Sequence, residues 1–275
     1  MSTPKVSILM GTYNRAHFLE SALAALQAQT FSDWELIVPD DGSRDNTPEV
    51  ARRLAASEPR MTYLRHDDNQ GISVNYNRGF ARCRGEYVAM IDDDDRWCLD
   101  QKLSTQIDFL DRNPEYVGCG GGLIIVDLEG KEMCRYLKPE THEAIRTAMF
   151  FPNPMANSTT LFRREAGERV GWYDDSIRYS GDRDFWMKMG LLGKLYNFPD
   201  YLSFYTMGSQ NTSIVHMKPH LKTSLMLTQR YHDKYPGYSR AIVINYLQYW
   251  YAFLPPGLHQ AIHTTVARGK RKLFG

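Results

Sequence analysis

Apolar positions along the first hundred residues alternate between two periodicities. Val6–Met10 is a short apolar run that predicts a buried strand, and Glu35–Val38, Met61–Leu64 and Tyr87–Ile91 read the same way. Between these runs the spacing changes. From Ala16 to Ala28, Leu19, Ala22, Leu23 and Leu26 share one helical face. Thr47-Pro48-Glu49 predicts a helix start, with Thr47 as N-cap, Pro48 at the first helical position and an acid in the first turn. A further helix is predicted around Ile72–Cys83. Leu99, Leu103, Ile107 and Leu110 mark another, ending at Asn113-Pro114. Strands and helices alternating at this length predict βαβ units, hence an α/β fold with a mostly parallel sheet in a three-layer sandwich.

The pattern loosens after Tyr116. An apolar run reaches Val126, and loops and a Trp- and Tyr-rich section follow to about Ser213. Leu221–His232 and Ala241–Leu254 predict two helices, and the chain closes on the basic tail Arg268-Gly269-Lys270-Arg271-Lys272. This divides the sequence into a main domain over residues 1–215, with halves at 1–115 and 116–215, and a helical extension over 216–275.

Composition adds three exclusions. With 275 residues, 43% hydrophobic and 24% charged, the chain can bury a large core without staples. Thirty-three Lys and Arg against 32 Asp and Glu give a net charge of +1, which excludes a globally basic nucleic-acid binder. Cys83, Cys98, Cys119 and Cys134 form no C-x-x-C pair, so reduced thiols are expected rather than zinc ligands or a disulfide scaffold. No charged leader with an apolar stretch precedes the first strand, and the longest uncharged segment, Ala241–Ala267, holds Pro255-Pro256 and several polar residues. The expected location is therefore the cytoplasm, with peripheral contact at the inner membrane face as an alternative.

Candidate chemistry gathers where strands end. In parallel sheets ligands bind beyond the carboxyl ends of the strands. Polar clusters sit at three such points: Thr12-Tyr13-Asn14-Arg15, Asp40-Asp41-Gly42-Ser43, and Asp92-Asp93-Asp94-Asp95. Four consecutive carboxylates repel one another in a dry site, so either a divalent cation or full solvation must relieve them. Oxygen-only ligands favour Mg²⁺ or Mn²⁺ over zinc. A carboxylate in the second cluster could accept the imide N–H of uracil or thymine, with Thr12, Tyr13 and Asn14 beside the same base. Gly71 in Asn69-Gln70-Gly71 suggests a positive-φ turn, and Arg78 in Asn77-Arg78-Gly79 could reach a diphosphate. Either segment could equally be surface structure. Asp182 and Asp184 in Gly181-Asp182-Arg183-Asp184-Phe185-Trp186 form a second acidic element, on a strand or a loop entering a helix.

Taken in order, these motifs resemble a family 2 glycosyltransferase with the GT-A fold, over roughly Pro4 to Ser213. The resemblance rests on Val6–Asn14 as opening strand and nucleotide loop, Gln29-Thr30-Phe31, Trp34–Val38, and Asp40-Asp41-Gly42-Ser43 with Asp45 and Thr47. Asn69, Gly71, Asn77-Arg78-Gly79, Gly85-Glu86-Tyr87 and the Asp-rich run continue it. It implies a nucleotide-binding half at 1–115 and an acceptor-binding half at 116–215. Thr12, Tyr13, Asn14, Arg15, Asp41, Asn69, Gly71, Asn77, Arg78, Asp93 and Asp94 would bind the nucleotide, with Asp41 on the uracil and Asp94 on the ribose. Asp95 and Asp93 would flank Mn²⁺ or Mg²⁺, Asp92 would support the strand end, and Asp182 would be the general base.

The implied reaction moves a sugar, with inversion, from a nucleotide-diphosphate donor (a UDP-sugar) to the hydroxyl of a saccharide or lipid-linked saccharide, in polysaccharide or glycolipid assembly. Rival readings are a nucleotidyltransferase that makes the activated sugar and a nucleotide-binding module without catalysis. Two departures stand out. Gly181 replaces the Glu that usually precedes the base, and Tyr205–Gln210 holds no Arg or His where the family often has one. The aromatic helix near the C-terminus is expected to pack on the domain or on another subunit, or else to lie with the basic tail on anionic lipid.

Overall fold

The computed structural model describes residues 3–151, 153–208 and 211–253. The N-terminal half alternates as expected: β1 (Val6–Leu9), α1 (Ala16–Gln27), β2 (Trp34–Asp40), α2 (Thr47–Ser57), β3 (Met61–Arg65), α3 (Ile72–Phe80) and β4 (Tyr87–Met90). Then come β5 (Arg96–Trp97), α4 (Lys102–Arg112), β6 (Tyr116–Val126), β7 (Glu132–Tyr136) and α5 (His142–Ala148). The order closes with β8 (Leu161–Arg163), α6 (Arg164–Val170), α7 (Gly181–Leu192), β9 (Lys194–Thr206), α8 (Thr212–Val215), α9 (Met217–Arg230) and α10 (Tyr238–Tyr251).

Among the described residues nine strands join one sheet in the order β3-β2-β1-β4-β8-β6-β9-β5, with β7 paired to β6. The β3-β2-β1-β4 block is parallel, as is the long β6–β9 ladder, which makes the sheet mostly parallel. The short β8 runs against both β4 and β6 and so splices the two parallel blocks.

Burial on both faces explains why the early strands read as unbroken apolar runs. Along β4, Tyr87 and Ala89 enter one core while Val88 and Met90 enter the other. One core is roofed by the predicted faces of α1 and α4, including Leu19, Leu26, Leu103 and Ile107. The other gathers Tyr76 and Phe80 of α3 with Phe185 and Trp186 of α7 around Phe162 of β8. Helices thus cover both faces, the expected three-layer arrangement. Leu227, Tyr231, Tyr235 and Ala241 join this second core, so the helical extension is built onto the body of the molecule. The tail at residues 268–272 lies outside the described residues. All four cysteines are free. Among the described residues no helix is long and apolar enough to cross a membrane.

Three local expectations need correction. Thr47 is not an N-cap: Asn46 holds that place, Asp45 accepts the Thr47 N–H at 2.9 Å, and the Thr47 hydroxyl accepts the Arg15 N–H at 2.9 Å. Asp182 and Asp184 lie within the first turn of a helix rather than on a strand. The two C-terminal helices start earlier than predicted, at Met217 and Tyr238, because the apolar criterion passes over polar first turns.

A charged clasp closes the edge beside β3. Glu58, with its side chain 7% exposed, accepts two bonds from the Arg60 fork at 2.8 Å and one from Gln27 at 3.0 Å. Arg60 in turn lies 3.5 Å over the Trp34 ring. The Arg60 bonds hold the Glu58 carboxyl down at about 2, against 4.5 ordinarily. Its stabilisation is therefore complete above the unfolded value and is lost as pH falls towards the folded one. Glu58→Gln should cost on the order of 2 kcal/mol at neutral pH. In urea unfolding the gap from wild type should shrink steadily below about pH 4.5.

Candidate active site

Three parallel strands deliver the first polar clusters to one edge. Thr12 continues β1 by donating its N–H to Pro39 at 3.0 Å, and the Asp41 N–H returns to the Thr12 carbonyl at 3.0 Å. Asn14, at φ 55°, bridges the two loops: its N–H reaches the Ser43 hydroxyl and its side-chain oxygen takes the Arg44 N–H, both at 2.8 Å. The buried Asp41 carboxylate accepts the Gln70 N–H at 2.7 Å and the Gly71 N–H at 2.9 Å, which ties the turn to the start of α3. Burial still pushes Asp41 above the usual carboxylate range. Gly71 has the positive φ expected of it, at 98°. Tyr13 remains 41% exposed beside this cradle.

The acidic run leaves β4 directly into this edge, and each member finds a different partner. Asp92 accepts from the Tyr76 hydroxyl at 2.8 Å and the Asn157 amide at 2.9 Å. Asp93 accepts the Thr12 hydroxyl at 2.6 Å. Asp94 pairs with Arg15 at 2.5 Å. Asp95, 1% exposed, accepts from the Ser158 hydroxyl and, at 3.0 Å, from the Thr206 N–H. Thr206 also donates its hydroxyl to the Asp94 carbonyl. Burial, with the neighbouring Asp94 charge, pushes Asp92 up to about 6 and Asp93 up to about 8. Asp95 is pushed well up for the same reasons.

This crowding bears on the cation. Among the described residues no three Asp, Glu, His or Cys side chains gather as a ready-made cage. Mg²⁺-type sites instead take one or two carboxylates and complete the shell with substrate phosphates and water. Hard oxygen donors under unrelieved mutual repulsion fit such an ion.

Asp182 reaches the same neighbourhood from the first turn of α7. Its carboxylate accepts the Asn153 amide at 2.6 Å, and its charge is among those raising Asp92. Lys138 donates to the Asn153 carbonyl at 2.9 Å and lies 5.0 Å from the Tyr136 ring. Burial lowers this ammonium to about 8, with Asp182 opposing the shift. Ser180, just before the helix, sits at φ 60° with its hydroxyl 2.7 Å from His220 Nδ1. Asp184 serves a different end: it is 1% exposed and binds Arg230, Tyr231 and Lys188, which fastens α7 to the C-terminal helices. Two acids two apart on a helix face different ways, and here one is structural.

Gly181 has a steric reason. A Cβ there would stand 2.5 Å from the Ser73 hydroxyl, which itself bonds the Ile177 carbonyl. Close approach of α7 to α3 thus leaves no room for a side chain at 181 unless Ser73 moves.

Other expected residues divide. Thr12, Asn14, Arg15, Asp41, Gly71 and the acidic run share the strand-end edge. Asn69 is joined to Arg178 at 3.1 Å, ahead of α7. Arg78 lies near His66, whose protonation it disfavours after burial. Asn77 is held from another side: both its amide hydrogens go to Tyr173 and Asp175, and its oxygen takes the Tyr173 N–H, which pins α3 to the loop before α7. Sequence reasoning missed Tyr76, Asn153, Asn157, Ser158, Thr206 and Lys138. It also missed His220, although His216-x-x-x-His220 is a visible spacing. Ser209 and Gln210 of the late loop lie outside the described residues.

Comparison with known proteins identifies the family and the fold. Residues 7–171 match the family model described as glycosyl transferase family 2. The chain belongs to the family 2 glycosyltransferases. It is 30% identical over 207 residues to the amylovoran biosynthesis glycosyltransferase AmsE of Erwinia amylovora, covering 74% of this chain and 76% of that one. Among solved structures it is similar to S. aureus TarS residues 1–349 in complex with UDP-GlcNAc, with a TM-score of 0.64, 17% identity, and coverage of 90% and 73%. Against TarS at its greater crystallised length the chain spans 44%. It is likewise similar to the mannosyltransferase PcManGT of Pyrobaculum calidifontis in complex with GDP-Man and Mn²⁺, with a TM-score of 0.62, 18% identity, and coverage of 97% and 80%. At these identities the solved structures speak for the GT-A fold, and the family establishes a glycosyltransferase.

Restoring the family Glu should therefore be costly here. Gly181→Glu should destabilise by about 1–3 kcal/mol through overpacking, and Ser73→Gly in the same chain should recover part of the loss, read as melting temperatures.

Proposed function

We propose that this glycosyltransferase takes a UDP-sugar donor and transfers the sugar with inversion to the hydroxyl of a saccharide acceptor. The observation that carries this reading is that Thr12 ties Asp41 to Asp93 by hydrogen bonds while the Asp182 charge acts on Asp92. Asp41 is held by two backbone amides with acceptor capacity to spare, which suits the imide N–H of a uracil ring against Thr12, Tyr13 and Asn14. Arg15 and Asp94, already paired, would frame the ribose and phosphates.

The donor diphosphate brings negative charge towards carboxylates that are already crowded. Asp93 and Asp95 would hold a divalent cation, Mn²⁺ or Mg²⁺, which when bound supplies Lewis-acid stabilisation to the departing diphosphate. Ser158, Thr206 and Thr12 keep these two carboxylates oriented before any ligand arrives. Preorganised groups of this kind need no rearrangement at the moment of reaction.

A single displacement needs one base opposite the leaving group. Asp182 is the isolated acid on that side, because Asp184 is consumed by Arg230, Tyr231 and Lys188. Asn153 fixes one Asp182 oxygen, and the other would take the acceptor proton as the new bond to the anomeric carbon develops.

Asp182→Asn keeps the shape and should lower turnover by at least about 10²–10⁴-fold while thermal stabilisation by UDP with Mn²⁺ stays at the wild-type level. Turnover of a UDP-sugar at the wild-type rate would remove Asp182 as the base. Chelator should abolish nucleotide stabilisation of the wild-type chain, and Asp95→Ala should make stabilisation independent of Mn²⁺. Nucleotide binding unchanged by either would remove the cation from the reading.

A further inference from the structure

The C-terminal helices carry a feature the transfer reaction does not use. In α10 only Ala241 and Asn245 are buried, and Asn245 anchors the helix by donating to the Phe150 carbonyl at 3.3 Å and Thr228 Oγ1 at 3.1 Å. The opposite face is apolar and open. Val243, Tyr246, Leu247 and Trp250 recur at helical spacing and are 57%, 43%, 64% and 66% exposed, with Phe253 just beyond at 48%. A helix whose second face is this apolar has something other than water to meet.

Charge says what. Residues 201–275 hold one acid, Asp233, and nine Lys or Arg, in a chain whose total is only +1. Arg230 is engaged by Asp174 and Asp184, and Lys234 by Asp233. Lys218, Lys222 and Arg240 are exposed, and neither α9 nor α10 contains an acid. Two of these cations bracket the stripe: Arg240 lies 5.9 Å from the Phe151 ring at one end, and Lys218 lies 4.3 Å over Phe253 at the other. Aromatic and aliphatic side chains between flanking cations match the interfacial layer of a bilayer, where rings sit at the headgroups and lysine stems reach anionic phosphates.

We propose that α10 docks this protein on an anionic phospholipid surface, with its Val243–Trp250 stripe in the headgroup layer and Lys218, Lys222 and Arg240 on lipid phosphates. The same end of α10 adjoins the segment that orients Asp182, since the Phe151 carbonyl accepts from Arg183 at 3.1 Å and Asn153 binds Asp182. Docking would therefore bring the base side of the site towards the membrane. The α10 stripe and the exposed cations of α9 and α10 carry this docking, whatever the donor.

The test is co-sedimentation of the full-length chain with phosphatidylglycerol-containing vesicles and with pure phosphatidylcholine vesicles. Binding to the anionic vesicles, weakened by salt, is expected. The doubly substituted L247E/W250E chain should lose at least about tenfold in partitioning, and K218E/K222E should lose affinity for anionic vesicles specifically. Both pairs are solvent-exposed, so circular dichroism and melting temperature should match wild type. An equivalent pair on another exposed apolar patch, L128E/M133E, should bind as wild type. Equal binding to neutral vesicles, no binding to either, or wild-type binding by L247E/W250E would overturn the proposal. So would a dimer in sedimentation equilibrium that L247E/W250E abolishes in a chain that ignores vesicles, which would assign the stripe to a second copy.

Discussion

Four carboxylates in sequence at the mouth of a buried strand are the constraint around which the rest is arranged. Placed side by side in low dielectric they would repel by several kcal/mol each. The fold answers with a donor for every one of them: Tyr76 and Asn157 for Asp92, Thr12 for Asp93, Arg15 for Asp94, Ser158 and Thr206 for Asp95. Those donors come from four separate stretches of chain. The acidic run is consequently a junction, and the loops after β1, α3, the turn at 157–159 and the end of β9 are set in register by it. Even so, the donors leave Asp92, Asp93 and Asp95 raised, so the site retains a demand for positive charge.

The same economy gives residues of one type different surroundings. Asp182 and Asp184 are two apart in α7, yet one meets Asn153 at the edge of the site while the other is enclosed by Arg230, Tyr231 and Lys188. A helix turns 100° per residue, so neighbours at this spacing diverge. The consequence reaches α9 and α10. Because Asp184 fastens α7 to α9, the C-terminal helices are coupled to the segment that carries Asp182, and the outward face of α10 keeps a fixed relation to it.

Much of this was legible in the residues. Apolar patterning marked β1 to β4, α1 and α4, and a start signal marked α2, because strands buried on both faces and helices buried on one leave distinct spacings. The strand-end clusters, Gly71 and the Asp-rich run were visible because a parallel sheet must place its loops at one edge. What sequence misplaced was of another kind. Thr47 looked like a cap because its neighbours fit the rule, but its hydroxyl accepts the Arg15 N–H of another loop instead of a helix amide. Nothing local to Asn77 showed that Tyr173, almost a hundred residues away, would claim its amide.

By itself the sequence determined the layered α/β fold, the edge on which the polar clusters lie, and the family to which the chain belongs, since all three follow from local spacing and ordered motifs. Tertiary structure alone decided which groups hold the carboxylates, why residue 181 has no side chain, which of two aspartates is enclosed by ion pairs, and which face of the last helix is left open. Those matters depend on contacts between segments far apart in the chain. Hydrogen-bond geometry and steric clearance act over a few ångströms, and no spacing along the sequence encodes which distant atoms will come that close.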